Sequence, residues 1–125
     1  MKHKRRHRTI VLDGDGVVFA YDGWKGPDHV GDVDPKAALL MRFLDYLGYT
    51  VVISTAREDV SPFVSAASRE GLVVDKITHD KPIGIAYIDN RGVHHTPGMW
   101  KATVEALARV VGDPEILMAM EVLGE

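Results

Sequence analysis

The chain contains no cysteine, which excludes disulfides, thiolate catalysis and Cys-ligated zinc or iron–sulfur centres, and agrees with a reducing cytoplasm. It has no apolar run approaching the ~20 residues of a spanning helix, so a membrane protein is not expected. Internal repeats and low-complexity tracts are absent too. No export signal follows the basic start. Such a signal needs about 7–15 apolar residues, but Thr9-Ile10-Val11-Leu12 runs straight into Asp13.

What is present is 125 residues, 46% of them apolar and 26% charged. That length fits one domain, able to bury roughly two thirds of the surface of its unfolded chain. The net charge is -3, but residues 1–8 hold five Lys or Arg and no acid, leaving 10 basic against 18 acidic groups in the remaining 117 residues. Residues 1–8 read as a basic, flexible arm and 9–125 as a single domain. The arm is either a solvated end or a contact for nucleic acid or another acidic partner.

Short apolar runs alternate with longer amphipathic segments, the pattern of βαβ units around a parallel sheet. Strands are expected at Thr9–Leu12, Thr50–Ser54 and Ile85–Ile88, with a weaker one at Leu72–Val74. Each is apolar through consecutive positions, as in strands covered on both faces. Helix starts are marked by Asp34-Pro35, Ser61-Pro62, Thr96-Pro97 and Asp113-Pro114, in which a capping oxygen precedes a proline that has no N–H to lose. Gly48, Gly71 and Gly112 are the matching stops. The reading is a three-layer, Rossmann-like α/β domain with helices over Pro35–Leu47, Pro62–Glu70, Met99–Val111 and Pro114–Leu123. Residues 14–34, with six glycines or prolines, form a long loop, and loops of that length inside a compact domain are often functional.

Ligands of open α/β sheets gather at the carboxyl ends of strands. There the sequence places Asp13-Gly14-Asp15-Gly16 after the first strand, Thr55-Ala56-Arg57 after the second, and Asp89-Asn90-Arg91 after Ile85–Ile88, with Lys81 just before that strand. Three carboxylates crowded together are unfavourable without a cation. All the candidate ligands are oxygens, and few protein ligands leave room for water and phosphate, which favours Mg2+. Thr55 and the N–H groups beside it, Ala56 included, can hold phosphate oxygens, and Lys81 can offset their charge.

These residues resemble the haloacid dehalogenase (HAD) superfamily of phosphatases. The apolar strand and Asp-x-Asp-Gly of its first motif are matched by residues 10–17, its second motif by Val51–Thr55, its lysine by Lys81, and its acidic strand end by Tyr87-Ile88-Asp89-Asn90. All four occur in family order over residues 10–90. The resemblance implies that Asp13 attacks phosphorus and ligates Mg2+. Asp15 would protonate the leaving oxygen, activate water, and lend its carbonyl to the metal. Thr55 and Ala56 would hold phosphate, Lys81 would keep it beside the nucleophile, and Asp89 would bind metal. It also implies that the loop after the first strand is a short flap, with no large cap domain. The open site then admits a bulky substrate or is closed by a second subunit in an oligomer. Gly14 stands where the family usually has a larger apolar residue, Val17 where threonine is frequent, and Asn90 where many members carry a second acid.

Further candidates surround this set. Trp24 either stacks on a base or sugar or seals the flap against the core, and Lys25 beside it can approach phosphate. Arg57 and Arg91 either meet substrate or pair with neighbours such as Glu58 and Asp59. His94 and His95 lack a third ligand at useful spacing and read as structural or surface residues; His79 has no assigned role. The expected function is Mg2+-dependent hydrolysis of a phosphomonoester, with a nucleotide or polynucleotide end as one substrate class. The alternative is a catalytically weakened phosphate- or nucleic-acid-binding protein of the same fold. A receiver-like signalling domain fits less well, because Thr50–Ser54 ends in no phosphoacceptor aspartate.

Overall fold

The computed structural model describes residues 8–89 and 92–125. The basic arm up to residue 7, Asn90 and Arg91 lie outside the described residues. The fold is α/β, with a five-stranded, wholly parallel sheet in the order β3-β2-β1-β4-β5. The strands are β1 (Thr9–Asp13), β2 (Thr50–Ser54), β3 (Lys76–Thr78), β4 (Ala86–Asp89) and β5 (Val93–His94). This order is Rossmann-like and puts β1 at the centre, flanked by β2 and β4.

Among the described residues four α-helices accompany the sheet: α1 (Pro35–Leu47), α2 (Ser61–Glu70), α3 (Trp100–Val111) and α4 (Ala119–Leu123). Ile10, Leu12, Val51, Ile53, Ala86 and Ile88 share one buried cluster with apolar residues from all four. The link from β3 to β4 carries no helix; where it passes the sheet, Gly84 lies so close that a Cβ there would sit 3.0 Å from Val11 Cγ2. That link therefore supplies no helical layer of the expected three-layer arrangement.

Local chemistry explains the boundaries. Asp34 caps α1 by accepting from Lys36 N at 2.9 Å, and Pro35 follows it at the first helical position. Gly48 ends the helix at φ 102°, where a side chain would be strained. Asp113 likewise accepts from Glu115 N, but what it opens is a 3-10 helix (Pro114–Met118) that passes into α4, not one continuous α-helix. Two expected caps fail. Ser61 lies inside α2, and its N–H is taken by Asp59 Oδ1 at 3.0 Å. Thr96 closes a turn with Met99 N, so α3 starts at Trp100.

The weaker strand is also displaced. Leu72 N returns to Ala67 O behind α2, and Leu72 and Val74 pack against the core as partly buried side chains. Asp75 then sets the edge register with both its groups: its N–H donates to Val51 O, and its carboxylate accepts from Val51 N, each at 2.8 Å. Pairing follows at Lys76–Thr78. Residues 14–34 hold no helix or regular strand, as expected. The segment projects as two arms joined through an antiparallel bridge, Phe19↔Val33, with Ala20 N donating to Asp32 O and Asp34 N to Val18 O, each at 2.8 Å.

Candidate active site

The register of the central strands assembles the site. Leu12 pairs with Ile88, so the next residue on each strand, Asp13 and Asp89, reaches the same carboxyl edge. On the other side Asp13 pairs with Ser54, and Thr55 follows, its N–H still in the ladder to Thr78 O at 3.0 Å. Beyond Asp13 the chain rolls over on itself. Gly14 N donates to Ser54 O, Val18 N to Asp13 O and Phe19 N to Gly14 O, while Gly16 takes φ 89°. That tight roll returns the chain over the strand end and presents Asp13 and Asp15 there.

The electrostatics identify which groups share this edge. Burial pushes the Asp13 carboxyl above its ordinary pKa; Lys81 pulls it back, and the charges of Asp89 and Asp15 push it further up. Lys81 Nζ donates to Asp89 Oδ2 at 2.5 Å, and Gly92 N donates to Asp89 Oδ1 at 2.5 Å. Asp89 is only 4% exposed. Lys81 is positioned by Tyr87. The Tyr87 hydroxyl accepts from Gly84 N at 2.8 Å and donates to Pro82 O at 2.7 Å, stapling the residues after Lys81, whose ammonium lies 5.6 Å from the Tyr87 ring centre.

Asp15 faces a different partner. Arg57 Nε donates to Asp15 Oδ2 at 3.2 Å and Arg57 Nη2 to Asp15 Oδ1 at 3.0 Å, a two-pronged pair. Arg57 Nη1 reaches the carbonyls of His29 (2.5 Å) and Pro27 (3.4 Å) on the projecting segment. The guanidinium carbon lies 5.1 Å from the centre of the Trp24 ring and 4.9 Å from that of Phe63. The expected pairing of Arg57 with Glu58 or Asp59 is thus replaced by one 42 residues away. Nor does Trp24 seal the core, because it is 61% exposed and lies against the guanidinium.

The other candidates divide clearly. Thr55 is buried, and its hydroxyl accepts from Arg57 N at 3.1 Å, which folds the Thr55–Arg57 turn and leaves Ala56 exposed at its tip. Lys25 is drawn away into an exposed pair with Asp22. His94 and His95 take separate partners: His94 Nε2 lies 3.3 Å from Thr96 Oγ1, and the buried His95 Nδ1 lies 2.7 Å from Thr103 Oγ1, with its ring against Trp100. A cleft of about 520 Å3 opens beside the edge, lined by Gly16, Val17, Tyr21, His29, Asp34 and His95 among others. It touches the loop after β1 but not Asp13, Asp15, Arg57, Lys81 or Asp89.

Two residues that matter here escaped the sequence reading. Phe63, fully buried on α2, fills the space beside Gly14: a Cβ on that glycine would lie 2.8 Å from Phe63 Cε1. The signal was the small residue itself, since a gap in a packed interior has to be filled from elsewhere. Gly92 was the other; a Cβ there would come 2.4 Å from Tyr87 O and 3.3 Å from Asp89 Oδ1.

Among the described residues no three His, Cys, Asp or Glu side chains form a ready-made metal cage. The carboxylates at the edge are Asp13, whose pKa is raised by burial and then by the charges of Asp89 and Asp15 against the pull of Lys81, Asp89, paired with Lys81, and Asp15, paired with Arg57. Such an all-oxygen donor set fits a hard divalent cation that keeps most of its coordination positions for water and substrate. No described helix is long and apolar enough to cross a membrane. No family model, curated protein or solved structure matches this chain.

Proposed function

We propose that this chain is a Mg2+-dependent phosphohydrolase of the haloacid dehalogenase type, which cleaves phosphomonoesters through a phosphorylated aspartate. The observation that carries the reading is the electrostatic convergence on Asp13: a half-buried carboxylate at the end of the central strand, within the field of Lys81, Asp89 and Asp15. A carboxylate in the field of a lysine suits an incoming phosphate, whose negative oxygens need a cation beside the nucleophile. The projection over residues 14–34 suits the short flap of an enzyme without a large cap.

In the first step an Asp13 oxygen forms a bond to phosphorus while the bond from phosphorus to the leaving oxygen breaks, and Asp15 supplies the proton that oxygen needs. In the second, water attacks the phosphorus of the aspartyl phosphate and gives its proton to Asp15, so that inorganic phosphate leaves and Asp13 is regenerated. Lys81 and the N–H groups of the Thr55–Arg57 turn hold the phosphate oxygens. Mg2+, held by Asp13, Asp89 and the Asp15 carbonyl, would supply charge neutralisation for the phosphoryl group. Nucleotide or polynucleotide ends are the substrates favoured by the basic N-terminal residues, which would act on the phosphate backbone.

The direct test is hydrolysis of an aryl phosphate, and of a panel of phosphorylated metabolites, nucleotides and 3′- or 5′-phosphorylated oligonucleotides, with and without Mg2+. Turnover should vanish with EDTA and with Asp13→Asn. Wild-type rates in Asp13→Asn would remove Asp13 as the nucleophile.

A further inference from the structure

Asp15 sits on the tight roll that follows β1, and its aim needs an explanation beyond its own backbone. Arg57 provides one. The Arg57 side chain is only 10% exposed although it stands at the open edge of the sheet. Its main chain is fixed by the bond from Arg57 N to Thr55 Oγ1. Its guanidinium spends two prongs on the Asp15 carboxylate and directs a third nitrogen to the carbonyls of His29 and Pro27. Phe63, on α2, and Trp24, on the projecting segment, both lie against it.

A guanidinium is a rigid planar fork, so its donors cannot be reoriented independently. Movement of the 24–29 segment that drew the His29 carbonyl away would remove the partner of Nη1 and the ring of Trp24 together. The plane would then be free to tilt, and the two prongs on Asp15 would tilt with it. We propose that Arg57 is a positioning residue that aims the Asp15 carboxylate and makes that aim depend on the seating of the flap. The flap is then tied through Arg57 to the direction in which the Asp15 carboxylate points, as well as being a cover. This inference rests on the phosphohydrolase reading, in which Asp15 is the proton donor and acceptor.

The experiment compares wild type, Arg57→Ala, Arg57→Lys and Asp15→Asn on two substrates, an aryl phosphate with a good leaving group and a simple alkyl phosphate with a poor one, in Mg2+. Departure of the aryl oxide needs little protonation, whereas alkoxide departure needs Asp15. Because kcat/KM reports formation of the phosphoenzyme, Arg57→Ala should lower it by roughly 10- to 100-fold for the alkyl ester, and by less than about threefold for the aryl ester. Asp15→Asn should show the same substrate pattern. Arg57→Lys keeps the charge but not the fork, and should fall on the side of Arg57→Ala; it also serves if the alanine variant is poorly folded.

Equal losses on both esters, or full retention by Arg57→Lys, would overturn the positioning role. A second readout is independent of turnover. Amide hydrogen exchange over residues 20–31 should speed up in Arg57→Ala, and unchanged protection there would overturn the coupling to the flap. Absence of activity in every protein with intact exchange coupling would count against the phosphohydrolase reading and leave the tether standing.

Discussion

Replacing Gly14 with alanine would place a methyl carbon 2.8 Å from Phe63 Cε1, 3.3 Å from Cδ1 and 3.4 Å from Cζ. Carbon atoms prefer about 3.5–4.0 Å, so the ring must yield by several tenths of an ångström. It has nowhere easy to go. Phe63 is fully buried, its ring centre lies 5.6 Å from that of Phe19, and the Arg57 guanidinium carbon is 4.9 Å away. Overpacking of this kind costs about 1–3 kcal/mol. Gly→Ala also restricts the unfolded chain, which returns about 0.4–1 kcal/mol where the backbone is compatible. The net expectation is a loss of about 1–2 kcal/mol, or a Tm lower by roughly 3–10 °C for a chain of this size.

The decisive assay is a double-mutant cycle by urea and thermal unfolding, with Phe63→Leu as the second change. Phe63→Leu alone should cost about 1–3 kcal/mol as a large-to-small change in the core. In that background Gly14→Ala should cost little or become stabilising, giving a coupling of about 1 kcal/mol or more. An identical cost for Gly14→Ala in both backgrounds would refute the claim that Phe63 fills the space beside Gly14.

Two predictions concern pH. His95 has its pKa lowered below the ordinary 6.5, chiefly by burial, with Asp34 opposing and His94 assisting the shift. The unfolded chain therefore takes up the proton first, so stability should fall as pH drops through about 6.5 towards the lower folded value; a His95→Gln variant should lose this component of the urea midpoint's pH dependence. Asp13 is raised, so it is protonated at a pH where an ordinary aspartate is charged, and an attack that needs the carboxylate must weaken as pH falls through that raised value. The acid limb of kcat/KM should accordingly lie above 3.8 at low Mg2+ and move to lower pH as Mg2+ is increased; a limb insensitive to Mg2+ would argue against metal beside Asp13.

The elements legible in the sequence are those whose signals are local. β1, β2 and β4 are apolar runs, and α1 is bounded by Asp34-Pro35 and Gly48; each stands within a residue or so of its expected place. β3 was misplaced because Leu72 and Val74 carry the apolar signal, whereas the strand itself, Lys76–Thr78, is a three-residue edge set by Asp75 on Val51. β5, only Val93–His94, is too short for any periodicity to mark it. The same division holds within the site. Asp13 and Asp89 were legible because each ends a strand, and the parallel register then carries them to one edge; Lys81 arrives there from the link that follows β3 and pairs with Asp89.

Arg57 was not legible in that way, and the reason is physical. Along the chain its nearest acids are Glu58 and Asp59, but neighbouring residues on a tight turn diverge. Asp59 instead accepts from Ser61 N and helps to open α2. Asp15, 42 residues away, becomes the partner only after β1 and β2 pair and Thr55 folds the turn that carries Arg57. Phe63 completes the same corner, since the ring that excludes a side chain at Gly14 also lies against the guanidinium. The small residue in the loop after β1 and the arginine after β2 are thus two consequences of one packing solution. Enlarging Gly14 should therefore disturb Asp15 through Phe63 and Arg57. In Gly14→Ala, kcat/KM on the alkyl ester should fall by more than on the aryl ester, in the pattern expected of Arg57→Ala. Equal effects on the two esters would separate the packing from the chemistry.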